Sequence, residues 1–139
     1  MLFLMCLHTR ITGAFNGFEY SSTVIQGCIF MNNTSPDGAG VSSKGLLSIT
    51  DCSFKHNTAK SRGAAVNVGS QSNVTIVNTE FLGNTATSGA GVYTTGNLTV
   101  TQRSFDDHTV SVSGAAIYSA QGSITSFDSS LGLLERRIQ

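Results

Sequence analysis

Tryptophan is absent from this 139-residue chain, proline occurs once, and only eight basic and eight acidic side chains are present. Charged residues are 12% of the total, about half the usual share, and the formal net charge is zero. A neutral surface carries no electrostatic footprint for nucleic acid and no polybasic patch for anionic lipid. Ala, Leu, Glu and Lys are sparse, which argues against long helices. Three cysteines fit neither a zinc spacing nor a dense disulfide framework. The apolar start, Met1 to Leu7, is far too short to span a bilayer, and no basic residue precedes it as in a signal peptide. His8-Thr9 and Gly13-Ala14 lie in register with the repeats described next. The start therefore reads as part of a broken-off coil, with Met5 near the slot that Phe fills later.

What remains is hydroxyl, amide and glycine. Ser and Thr number 35, Gly 15 and Asn 9, while apolar residues at 40% are too many for a disordered chain. One phrase recurs five times: Asn or His, then Thr, a short variable stretch, then Gly-Ala. The pairs begin at Gly13, Gly38, Gly63, Gly89 and Gly114, at spacings of 25, 25, 26 and 25 residues. So steady a period marks a solenoid, in which each repeat is one coil stacked on the last.

Aligning the repeats exposes further columns. Phe30, Phe54, Phe81 and Phe105 recur, with Leu131 in line after them. Upstream lie alternating triplets, Leu47-Ser48-Ile49, Val74-Thr75-Ile76 and Leu98-Thr99-Val100, whose apolar members share a strand face. Ile49 and Phe54 are an odd number of residues apart, so a bend near Thr50-Asp51 must intervene, with equivalents at Val77-Asn78 and Thr101-Gln102. After each Phe a polar turn is expected, then a third strand that aligns Val41, Val66, Val92 and Ile117. The predicted fold is all-β: a right-handed parallel β-helix of three strands per coil, about 25 residues per coil and roughly 4–5 coils. The 139 residues are expected to form a single β-helix segment (1–139), with coils repeating over about 5–131 and 132–139 as a C-terminal tail or cap. Unburied slots at both ends would suit an excerpt from a longer solenoid.

Phe30-Met31-Asn32-Asn33, Phe54-Lys55-His56-Asn57 and Phe81-Leu82-Gly83-Asn84 alternate with Gly38-Ala39-Gly40-Val41, Gly63-Ala64-Ala65-Val66, Gly89-Ala90-Gly91-Val92 and Gly114-Ala115-Ala116-Ile117. This alternation resembles the Phe-x-x-Asn and Gly-Gly-Ala-Ile repeats of chlamydial polymorphic outer membrane proteins, with Ala for the second Gly. The resemblance implies a pectin-lyase-like right-handed β-helix displayed outside the cell, often in adhesion.

No residue set announces a reaction. Asn33, Asn57, Asn84 and then His108 form a column whose amides are expected to bond to one another and to turn backbone, fixing register. Cys28 and Cys52 share a slot and read as a small apolar ladder, their Cβ vectors being too parallel for a relaxed disulfide; Cys6 has no partner slot. Asp106-Asp107-His108 is the densest ionisable cluster. Its slots one and two coils earlier hold Leu82-Gly83 and Lys55-His56, so no acidic patch accumulates of the kind a polysaccharide-cleaving site needs. Asn32, Asn33, Asn73 and Asn97 begin Asn-x-Ser/Thr triplets, acceptors for glycans in a eukaryotic secretory route. Tyr93 and Tyr118 should lie side by side on the outer face, with Asn67 and Ser42 continuing their row as a candidate contact surface.

The expected function is non-enzymatic: an extracellular or cell-surface segment (outer membrane if bacterial) acting in adhesion or as a spacer. It would need no cofactor or metal, and its partners would be a surface protein or glycan and the neighbouring coils of a longer chain. The alternative is a fragment of a β-helical polysaccharide lyase or glycoside hydrolase with its active site on missing coils.

Overall fold

The computed structural model describes residues 22–101 and 117–121 in full. It also gives the backbone of strands Leu2–Met5, Arg10–Ile11, Phe15–Asn16, Ser104–Asp106, Thr109–Ser113, Ile124–Ser126 and Leu134–Arg136. One coil serves to describe the rest. Leu46–Thr50 turns Leu47 and Ile49 inward, 3% and 0% exposed, and Ser53–Lys55 turns in Phe54. Thr58–Arg62 contributes only Ala59 to the interior, and Val66–Val68 contributes Val66 and Val68. Each strand pairs in parallel with its equivalents one coil away, giving four sheets of six, five, four and six strands. The fold is a parallel β-helix with coils of about 25 residues.

The four coils from Ser22 to Ser119 have four strands each rather than three. The stretch after Phe, expected as a turn, is itself a strand: Thr34–Asp37, Thr58–Arg62 and Thr85–Ser88 lie side by side. Its only inward apolar side chains here are Ala59 and Ala86, so it shows no alternation strong enough to read as a strand. At the start of the chain, Met5 pairs with Gln26, whereas Ile11 pairs with Phe30. Met5 therefore does not occupy the Phe column. Leu134–Arg136, expected as a tail or cap, forms a strand beside Ile117–Ser119. Leu131 lies outside the described residues.

The bends follow from backbone chirality. Gly27, Asp51 and Asn78 occupy one bend with φ of 65°, 53° and 48°. Asn32, His56 and Gly83 occupy the next at 56°, 52° and 62°. Gly escapes the Cβ penalty of this left-handed region, and Asn, Asp and His tolerate it best among the others. These bends reset strand parity, so Ile49 and Phe54 both face the core.

Stacking at one-strand spacing then forces like onto like. Phe30 and Phe54 stack with centroids 4.8 Å apart and planes 3° from parallel; Phe54 and Phe81 do so at 5.2 Å and 7°. All three rings are fully buried. Phe105 continues the column in backbone register with Phe81. Ile25, Ile49, Ile76 and Val100 form a second column, and Val41, Val66, Val92 and Ile117 a third.

Coil length varies without disturbing these columns. Phe54 and Phe81 are 27 residues apart, against 24 for Phe30 and Phe54. The three extra residues fall in two places. One is a register shift between Ala59 and Arg62, where Arg62 still pairs with Asp37. The other two lengthen the turn between Val68 and Asn73, whose tip, Ser70 and Gln71, is exposed.

Candidate functional site: a groove beside the tyrosine row

The Gly of each described Gly-Ala pair makes the third bend. Gly38, Gly63 and Gly89 have φ of 57°, 59° and 58°. A Cβ on Gly63 would lie 2.9 Å from Asn67 Cα, and one on Gly89 would lie 2.9 Å from Tyr93 Cα. The corner therefore presses against the base of the next strand's outward residues, and only glycine meets both the dihedral and the space. Two sheets meet at this tight corner, and outside it lies a groove of about 450 Å³ lined by Asp37, Ser42, Lys44, Arg62, Asn67 and Tyr93 among others.

One wall carries charge. Asp37 and Arg62 precede their glycines in the same column, one coil apart. Asp37 Oδ1 lies 3.4 Å from Arg62 Nε and accepts the Arg62 backbone N–H at 3.1 Å. Exposed pairs of this kind contribute only about 0–1 kcal/mol. Lys44 is exposed and belongs to no ion pair among the described residues. The other wall carries Ser42, Asn67 and Tyr93, and Tyr118 continues their row in register on the next coil. The two tyrosine rings stack at 5.3 Å and 17°. From the preceding coil, Arg62 Cζ sits over the Tyr93 ring, 5.3 Å from its centroid. A hydrogen bond with Tyr93 raises the Arg62 pKa further, partial burial opposes this, and Asp37 adds to the rise. Tyr93 is thus held between a cation and a second ring. Its edge and hydroxyl, rather than a free face, are what it offers to a ligand.

The structure brings Tyr93, Tyr118 and Asn67 together, and adds Asp37, Arg62 and Lys44, which the sequence reading passed over. A signal existed: Asp37-Gly38 and Arg62-Gly63 place opposite charges in one repeat slot.

The other candidates fall elsewhere. Asn57 is fully buried; its Oδ1 accepts the Asn33 N–H at 3.2 Å, and its Nδ2 donates to Phe30 O and Asn84 Oδ1, both at 3.0 Å. Asn84 repeats the motif, donating to Phe54 O at 3.0 Å and accepting the Asn57 N–H at 3.0 Å. The column runs inside the coil, where it can meet no ligand. Asn33 is 5% exposed, so the folded chain cannot present it as a glycan acceptor. Asn32, Asn73 and Asn97 are exposed, and Asn97 Nδ2 donates to Asn73 Oδ1 at 3.0 Å.

The cysteine reading needs correction. Cys28 is disulfide-bonded, whereas Cys52, next in its column, is a buried free thiol. Column neighbours with parallel Cβ vectors do not join each other here, and the Cys28 bond goes elsewhere. Burial pushes the Cys52 thiol up, against backbone hydrogen bonds from the Cys28 and Thr50 region that pull it down. Cys6, Asp107 and His108 lie outside the described residues. Asp106 pairs in backbone register with Leu82. Among the described residues, no three His, Cys, Asp or Glu side chains cluster as metal ligands would, and no helix is long and apolar enough to cross a membrane.

Residues 8–105 match the model of a family described as a right-handed β-helix region. The chain belongs to that family. No curated protein and no solved structure matches it. The tyrosine row and the groove beside it lie on the outward face of this β-helix.

Proposed function

We propose that this β-helix is a surface-displayed segment that acts in adhesion, through the row of Asn67, Tyr93 and Tyr118 and the groove beside it. One observation carries the reading: an amide and two aromatic side chains are aligned on consecutive coils, the first two of them, Asn67 and Tyr93, lining a groove. Tyrosine joins apolar area to a polar tip, a combination favoured at contacts with proteins and sugars. The likeness of the repeats to those of chlamydial polymorphic outer membrane proteins supports display outside the cell. So does the disulfide at Cys28, since such bonds persist in oxidising compartments. The test is the double replacement Tyr93→Ser, Tyr118→Ser, followed by binding to cells and to a glycan array. Loss of binding with an unchanged circular dichroism spectrum and melting curve is expected. Retained binding would reduce the row to a feature that stabilises the sheet face.

A further inference from the structure

The geometry points to a second binding surface, independent of the tyrosine row: the outward face of one six-stranded sheet orders water, and its ligand is the surface of an ice crystal. Four strands of that sheet, Ser22–Gln26, Leu46–Thr50, Asn73–Val77 and Asn97–Thr101, pair residue for residue with no register shift. Alternation buries Ile25, Ile49, Ile76 and Val100 between two outward rows. One row is Val24, Ser48, Thr75 and Thr99; the other is Gln26, Thr50, Val77 and Thr101. Thr125 continues the first in backbone register. None of the outward residues on these four strands is charged. Asp51 stands at the bend beyond Thr50, where it accepts a hydrogen bond from Asn78 Nδ2.

Three properties suit the rows to a lattice. The first is spacing. Equivalent side chains on neighbouring strands lie about 4.8 Å apart, and residues two apart on one strand about 6.6 Å apart. Oxygen rows on a prism face of hexagonal ice repeat at nearly these two distances, also at right angles. The second is flatness. Ordinary sheets rotate by about 20–25° per strand, which would carry the rows out of any crystal plane. Here the stacked Phe30, Phe54 and Phe81 rings, one per coil, turn by only 3° and 7° from coil to coil. The third is that the hydroxyls are open to water and held still. Thr79, Thr87 and Thr94 donate theirs to Val77 O, Lys60 O and Gly96 O inside the protein. Ser48, Thr50, Thr75, Thr99 and Thr101 make no side-chain hydrogen bond among the described residues. β-Branching restricts χ1, so each Thr presents its hydroxyl and methyl in fixed positions.

A macromolecular partner fits this face less well. Among the described residues it has no charge to steer an encounter and no aromatic anchor, and Leu46 is its one exposed large apolar side chain. An ice surface asks for neither. Each hydroxyl can donate one hydrogen bond and accept two within a water lattice, while the methyls fill the spaces between.

The test is ice recrystallisation and thermal hysteresis with the full chain, and a fluorescently labelled chain to show whether it gathers on ice. Slowed recrystallisation and labelled prism faces are expected. Thr75→Lys and Thr99→Lys each put a long charged side chain in mid-row, and each should abolish both effects with circular dichroism and melting as in wild type. Thr101→Lys, at the exposed end of its strand, repeats the test should either mid-row variant unfold. Tyr93→Ser, Tyr118→Ser should leave ice activity unchanged, so adhesion and ice binding can fail separately. No ice activity in the wild type, or unaltered activity in the folded Lys variants, would overturn the inference. So would sedimentation showing a dimer that the same variants dissociate, since a second copy would then cover the face.

Discussion

Replacing Asn57 tests whether the buried amide column holds the coils in register. In Asn57→Ala the Asn33 N–H loses its acceptor at 3.2 Å, and Phe30 O and Asn84 Oδ1 lose a shared donor. Depriving one buried backbone donor costs about 1–3 kcal/mol, and the two lost bonds about 1 kcal/mol each. With a small cavity term, the sum is about 3–5 kcal/mol. Asn57→Asp is more diagnostic. One carboxylate oxygen can still accept the Asn33 N–H, but the other meets two acceptors, Phe30 O and Asn84 Oδ1, where the amide had a donor. Only the protonated acid can donate there. Burial and the facing oxygens must therefore raise its folded-state pKa above the ordinary value of about 3.9. A raised pKa contributes stability that is fully present below the unfolded value and lost as pH rises through the folded one. Asn57→Asp should thus approach its greatest stability near pH 4 and lose up to about 1.4 kcal/mol per pH unit above that. Urea unfolding between pH 4 and 8 measures both. A cost under about 1 kcal/mol for Asn57→Ala, or an Asn57→Asp profile parallel to wild type, would refute the reasoning.

Two further outcomes follow from the core. Phe54→Ala should destabilise by about 3–5 kcal/mol, since the ring is fully buried and stacked on both sides; thermal or urea unfolding checks it. Cys52 should resist an alkylating reagent at pH 8 in the folded chain and react once urea exposes it, as mass spectrometry of the labelled peptide would show. Its pKa is raised above the reference 9.0, so unfolding favours the thiolate: stability from this group is intact below pH 9 and falls above it.

Much of the architecture could be read from single residues because a solenoid repeats its constraints. The odd separation of Ile49 and Phe54 was enough to require a bend, and the structure makes that bend at Asp51. The Phe and Val columns followed from spacing alone. The strand Thr58–Arg62 did not, because Ala59 is its only apolar inward residue and the extra residue before Arg62 breaks any alternation. The groove escaped notice for a related reason. Tyr93 and Asn67 sit two or more residues past the glycine corner, while Asp37 and Arg62 precede it, and only the fold at Gly38 and Gly63 sets the two rows against each other. The state of Cys28 was not readable from its own column, since its neighbour there is not its partner.

The long turn between Val68 and Asn73 has a consequence for variation in length. It already carries two residues more than the turns after Ser43 and Thr94, yet the strands on either side keep full register with their neighbours. Ser70 and Gln71 are exposed, and Gly69, just before them, lines the groove. Further residues added between Ser70 and Gln71 would enter solvent, and each doubling of a flexible loop costs only about 0.6 kcal/mol. The same turn is thus a grafting port. A peptide spliced there would hang over the mouth of the groove, so its contacts could be altered by insertion while every buried column stays as it is.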